Sequence, residues 1–234
     1  MSSGDIEAEI FRFDPSKDQN PKFVTYSVPR IPGMIIGDVL NYIYEHYDGT
    51  LAYRWECRTG QCGTCTIVMN GKPALICKEP VADKMRIQPL PFLPVIRDLV
   101  VDRSSFYEQF NSITSFSRNQ SPTEQPEAID PARVKIQKNF TQCCYCLACV
   151  VVCPVADRNQ NRTMMPALLN RIIGYAIDER DATDRSDEAV KFGAYDCVKS
   201  LRCVQVCPHE IPIPKIIDML RTMKENSGKK IGPI

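Results

Sequence analysis

The sequence holds a single tryptophan, Trp55, two histidines, and no apolar run near the ~18–20 residues that a membrane-spanning helix requires. Its longest apolar stretch, residues 147–156, is interrupted by cysteines and by Pro154. An excess of either charge is absent too: 29 basic residues face 28 acidic ones, for a net charge of +1. That balance gives no electrostatic reason to expect nucleic acid or an anionic lipid surface as a partner. No G-x-x-x-x-G-K-[ST] loop occurs and no G-x-G-x-x-G follows a candidate strand, which excludes the common phosphate cradles. His46 falls in a helical pattern and reads as a solvated or packing residue, while His209 reads as a loop residue. With no nucleophile–base pair in view, substrate chemistry is expected on a partner. The acidic opening, residues 1–7, is neither a secretion signal nor an Arg-rich transit peptide.

Cysteine is what the chain has in abundance, with twelve in 234 residues. Without an export signal, so many thiols point to metal rather than to disulfides. Structural zinc is the plainest alternative, because C-x2-C pairs form zinc knuckles, but zinc sites pair two of them. Residues 143–153 read instead as C-x2-C-x2-C-x3-C, through Cys143, Cys146, Cys149 and Cys153, followed by Pro154. That run wraps one cubane iron–sulfur cluster and lends its fourth thiolate to a second. Partners further along are therefore required. Cys197, Cys203 and Cys207 supply C-x5-C-x3-C-P, the same run with Ser200 standing where the second cysteine would be. Cys144 is out of step with the x2 spacing and is expected to be a nearby non-ligand.

At 234 residues the chain suits one large or two small domains. Residues 1–106 read as a small sheet with one helix: β-branched and aromatic residues fill 6–13 and 23–28. Ile36, Val39, Leu40, Ile43 and Tyr47 recur at helical spacing. Cys57-x4-Cys62-x2-Cys65, a strand at 66–69, an Asn70-Gly71 hairpin turn and Cys77 follow. C-x4-C-x2-C with a distant fourth cysteine is the plant-type 2Fe–2S pattern. Gly60 and Gly63 permit the tight backbone that turns N–H groups onto the sulfurs. Residues 85–102 read as an apolar, proline-punctuated connector, and 89–102 as a contact surface. A helix is predicted next, with Ser105 and Glu108 as a capping box. Residues 117–131 read as a polar exposed loop between lobes. Beyond it the chain looks helical, with stripes Leu168, Leu169, Ile172, Ile173, Ala176 and Ile216, Ile217, Leu220, Met223, the second after Pro214. Residues 178–187 read as a charged, solvated connector.

With these motifs in view, the chain resembles the iron–sulfur subunit of succinate dehydrogenase and fumarate reductase, the complex II family. The likeness covers nearly the whole length. It includes Ile10-Phe11-Arg12-Phe13-Asp14-Pro15, Cys57-Arg58-x-Gly60-x-Cys62-Gly63-x-Cys65, Leu90-Pro91-x-Leu93-Pro94-Val95-Ile96-Arg97-Asp98-Leu99-Val100-Val101-Asp102, and both later cysteine runs in order.

The resemblance implies an α+β protein: an N-terminal β-grasp 2Fe–2S ferredoxin-like domain (1–106), then an α-helical ferredoxin domain (107–234). Cys57, Cys62, Cys65 and Cys77 would hold the 2Fe–2S cluster beside an FAD flavoprotein. Cys143, Cys146, Cys149 and Cys207 would hold 4Fe–4S, and Cys153, Cys197 and Cys203 a 3Fe–4S cluster facing a cytochrome b-type membrane anchor. The chain would sit peripherally at the cytoplasmic side of a prokaryotic membrane. Many ubiquinone-reactive members carry a serine and tryptophans after the Cys-Pro that is Cys153-Pro154 here, and a histidine where Val198 stands. Without them, the quinone pocket is not expected on this subunit. The alternatives are the same three-cluster relay serving another flavin dehydrogenase or a heterodisulfide-reductase-like soluble partner, and a zinc-binding interaction module.

Overall fold

The computed structural model describes residues 4–117, 129–156, 164–178 and 180–226, so most of the loop expected at 117–131 lies outside the described residues. By internal packing the chain divides into two units, 1–104 with 144–151, and 105–143 with 152–234.

The first unit is built on alternation. In β1 (Ile6–Arg12), Ile6, Ala8 and Ile10 are wholly buried while Glu7 is exposed. Strand β1 pairs antiparallel with β2 (Lys22–Val28) and parallel with β5 (Lys84–Gln88). Strands β3 (Thr66–Met69) and β4 (Lys72–Leu75) complete a mixed five-stranded sheet of order β2-β1-β5-β3-β4. Asn70 and Gly71 both take positive φ, 49° and 79°, as the tight hairpin turn between β3 and β4 demands. Helix α1 (Ile36–His46) buries Ile36, Val39, Leu40 and Ile43, the predicted stripe, while Tyr47 just beyond it is exposed. His46 is exposed and stacks on Tyr42 at 4.1 Å. This is the β-grasp arrangement, a mixed sheet with one helix across it.

The predicted connector is more ordered than the sequence suggests. Residues 84–88 are β5, and Val95–Arg97 (β6) pairs with Val100–Val101 (β7). Leu90, Leu93, Leu99 and Val101 are buried, and among the segment's large apolar side chains only Ile96 is exposed. Part of the apolar surface expected at 89–102 is thus consumed inside the unit, while Phe92, Val95 and Val100 remain half-buried. The reason is Asp98, at φ 47° on the β6–β7 turn and 2% exposed. Its carboxylate accepts from the backbone N–H of Phe13 and of Ala52 at 2.9 Å each, and from Arg12 Nε at 3.0 Å. Arg12 also donates to Tyr26, Asp48 and Thr50. A buried carboxylate with a full set of donors therefore fastens the hairpin to residues 50–52, where the chain sets out toward Cys57.

In the second unit, α2 (Ser104–Asn111) begins with Asp102 accepting from the N–H and hydroxyl of Ser104, in place of the expected Ser105–Glu108 capping box. Helix α3 (Pro131–Thr141) is capped by Asp130, which accepts from Ala132 N–H at 2.9 Å. Helix α4 (Ala148–Val151) packs on β4 within the first unit. Both apolar stripes are buried as predicted, in α5 (Met165–Ala176) and α8 (Ile213–Glu225). Helices α6 (Ser186–Lys191) and α7 (Arg202–Gln205) pack against α8.

The solvated connector expected at 178–187 is overturned. Arg185 and Asp181 are fully buried, bonded to each other at 2.7 Å. Arg185 also donates to Glu188 and to the carbonyls of Thr114 and Ser115, and Asp181 accepts from Ser117 N–H. The charges are inside because they satisfy the backbone of a neighbouring chain segment, a demand that local composition does not reveal.

Candidate functional site

Iron–sulfur loops need thiolates at fixed places and backbone N–H groups turned toward them. Positive φ at a non-glycine residue is uncommon, and alternating left- and right-handed residues turn successive N–H groups inward. Of the eight such residues among those described, six stand in or just after cysteine segments: Arg58, Tyr145, Leu147, Lys199, Leu201 and Glu210. The strain is concentrated where the thiols are.

In the first loop, the N–H groups of Thr59 and Cys62 approach Cys57 Sγ at 3.5 and 3.4 Å. Those bonds hold the Cys57 thiol down at about 6. Cys65 and Cys77 are buried with sulfurs 3.6 Å apart, and burial pushes Cys65 up to about 12. Binding iron removes that conflict, since ligation replaces the proton. All four predicted residues thus sit on one loop and the adjoining end of β4.

The segment 144–151 packs in the same unit. A Cβ placed on Gly63, whose φ is +64°, would lie 2.2 Å from the Cys144 carbonyl oxygen and 2.9 Å from Cys146 N. Arg103, 5% exposed, donates through Nη1 to Gly63 O at 3.2 Å and through Nη2 to Tyr145 O. Cys144 hydrogen-bonds the Cys146 side chain, and this, helped by the Ala148 N–H and the Arg103 charge against burial, lowers Cys146 to about 7. Arg103 was not singled out from the sequence, where no spacing or periodicity marks it, and Asp98 entered there only as one residue of the family motif at 90–102.

The second unit repeats the turn. Tyr145 (φ 49°) and Leu147 (φ 68°) bracket Cys146, and Lys199 (φ 52°) and Leu201 (φ 59°) bracket Ser200. Helix α4 starts directly after Leu147 and α7 directly after Leu201, with Val150 N–H to Leu147 O at 3.0 Å and Val204 N–H to Leu201 O at 3.1 Å. Cys197 accepts from Lys199 N–H and Cys207 from Ile211 N–H, each at 3.4 Å. Cys153, Cys197 and Cys203 line one partly open pocket, together with Ser200, Val198, Leu201 and Ile217. Burial, then the neighbouring Cys153 and Cys197, pushes Cys203 up to about 11.

These residues fit multinuclear iron centres. All twelve cysteines are free of disulfides, and N–H donors already face the sulfurs. Among the described residues, no three His, Cys, Asp or Glu side chains converge as a single metal ion would require. A cluster spreads its thiolates over two or more irons, with no more than two on any one.

The fold and loops define an iron–sulfur protein of two cluster-binding parts. Residues 7–108 match the family model of a 2Fe-2S iron-sulfur cluster binding domain, and residues 139–211 that of a 4Fe-4S dicluster domain. The fumarate reductase iron-sulfur subunit of Mycobacterium tuberculosis is 36% identical over 213 residues, covering 87% of this chain and 86% of that protein. The succinate dehydrogenase iron-sulfur subunit of Paracoccus denitrificans is 32% identical over 224 residues, covering 92% and 86%. The chain belongs to the family of fumarate reductase and succinate dehydrogenase iron–sulfur subunits. A chain of the Mycobacterium smegmatis Sdh1 complex in the apo form matches with a TM-score of 0.88 at 27% identity, covering 99% of this chain and 100% of that one. A fumarate reductase (CoM/CoB) subunit of Methanothermobacter marburgensis is 33% identical over 230 residues, covering 98% of this chain. This chain spans only 46% of that protein, and 44% and 42% of two further methanogen relatives. The electron-transfer role and the mixed-sheet-then-helices fold that the resemblance implies both hold.

Proposed function

We propose that the chain is the electron relay of a succinate:quinone or quinol:fumarate oxidoreductase, linking an FAD flavoprotein to an acceptor at a membrane anchor. In this reading Cys57, Cys62, Cys65 and Cys77 hold 2Fe–2S. Cys143, Cys146, Cys149 and Cys207 hold 4Fe–4S, and Cys153, Cys197 and Cys203 hold 3Fe–4S. Bound clusters supply reversible one-electron storage. The chain's own part is to present thiolates, offset their charge with the Thr59, Cys62, Lys199 and Ile211 N–H groups, and keep water from Cys65, Cys77 and Cys153.

The observation that carries the reading is the repeated turn with Ser200 in the place of Cys146. A hydroxyl is a harder and weaker iron ligand than a thiolate, so this cavity suits a cluster short of one iron. Val198 and Leu201, 55% and 53% exposed at its rim, give an apolar face for the acceptor protein. In this reading a partner supplies the membrane anchor; among the described residues no helix is long and apolar enough to cross a membrane. The likeness to the methanogen CoM/CoB protein supports a second reading, the same relay with a soluble acceptor in place of a quinone.

Purification of the native complex through a tag on this chain decides between them. Co-purifying FAD protein with succinate activity and a haem-bearing membrane protein is expected. A complex without a membrane component, inactive with quinones, would favour the second.

A further inference from the structure

We propose that Arg103 is a positioning residue between the first two centres, joining their loops and raising the reduction potentials of both. The proposal rests on the ligand assignment above. Gly63 lies between Cys62 and Cys65, and Tyr145 directly precedes Cys146, so the two carbonyls that Arg103 binds belong to two different centres. The loops touch backbone to backbone at Gly63 and Cys144, and Arg103 donates to a carbonyl on each side of that contact. A guanidinium suits the place, because its planar fork presents several N–H groups at fixed angles and remains charged at any working pH.

Position and charge act together. Each one-electron reduction adds negative charge to a centre, and a cation buried to 5% exposure stabilises that charge more than one in water. Net charge and hydrogen bonding near the sulfurs are among the levers that set cluster potentials. Arg103 therefore favours the reduced state of the centres on either side, and fixes the backbone contact between them.

The test uses the whole complex with Arg103→Leu, Arg103→Gln and Arg103→Lys, counting iron and following reduction by electron paramagnetic resonance at controlled potential. In the neutral variants, the reduced-to-oxidised ratio at a fixed potential should fall at least tenfold at both centres. That equals a downward shift of about 59 mV for a one-electron couple. Arg103→Lys, which keeps the charge without the fork, should recover the larger part. Wild-type midpoints in a fully loaded neutral variant overturn the proposal. So does a shift that lysine does not recover, or a lysine variant that does not load. Loss of both centres in both neutral variants would reduce Arg103 to structural support and overturns it equally. A failed ligand assignment reads differently: Cys146→Ser would then keep the 4Fe–4S signal, whatever the Arg103 variants do.

Discussion

Gly63 and Cys144 are in backbone contact that leaves no room for a methyl group: the space a Cβ would fill on Gly63 lies 2.2 Å from the Cys144 carbonyl oxygen. The obstacle is backbone, which cannot swing aside as a flexible side chain would. Left-handed φ at the same residue adds its own cost to any substitution.

Gly63→Ala should therefore cost about 2–5 kcal/mol, from the left-handed backbone and the overpacking together. The expected result is a lower thermal midpoint and loss of the 2Fe–2S signal. A loaded variant with an unchanged midpoint would show that the two loops can separate freely.

Ser200→Cys restores C-x2-C-x2-C-x3-C on a backbone turn already shaped like the one around Cys146. It should admit a fourth iron and convert the terminal centre to 4Fe–4S with a lowered potential. The 3Fe–4S resonance of the oxidised protein should be present in the wild type and absent in the variant. A wild type lacking it at full iron loading elsewhere would mean that Ser200 or Asp196 ligates iron.

Leu201→Glu places a charge at the rim of the cavity lined by Cys153, Cys197 and Cys203, where the native side chain is 53% exposed. Electron delivery to the natural acceptor should fall at least tenfold while reduction of a soluble dye and all cluster signals persist. Equal loss with both acceptors would place the defect in the centre itself.

Arg185→Met should destabilise the helical unit by about 3–5 kcal/mol, because it strands the buried Asp181 carboxylate without its partner. Chemical denaturation measured beside Asp181→Asn with Arg185→Met should show the double variant losing less than the sum.

Glu188 gives a pH dependence. Burial pushes its carboxyl up, but bonds from Thr114 and Arg185 outweigh it and hold the folded value below the ordinary 4.5. A depressed carboxyl contributes stability that is complete above the unfolded value and lost as pH falls through the folded one. The advantage of wild type over Glu188→Gln in urea should thus be full above about pH 5 and shrink as the pH drops below 4.5. An advantage that grows on acidification would reverse the sign and refute the account.

Local signals were legible in the sequence wherever one segment carries them. The β-branched and aromatic content of residues 6–13, the α5 and α8 stripes and the Asn70-Gly71 turn need only neighbouring residues, and each holds in the structure. The cysteine spacings and the Ser200 substitution were equally visible, because a regular spacing and a gap in it are both local.

What the tertiary structure alone decided are contacts between residues far apart in the chain. Asp98 reaches Phe13 and Ala52, Arg185 reaches Thr114 and Ser115, and Arg103 reaches Gly63 and Tyr145. From composition, residues 178–187 looked solvated and 89–102 looked like an exposed apolar patch; the first reading failed and the second holds only in part, for the same physical reason. A charge is buried when distant backbone groups need its hydrogen bonds, and an apolar segment is covered when its own unit closes over it. Spacing along the chain dictates which atoms are available as ligands; only folding dictates which buried charge stands beside them.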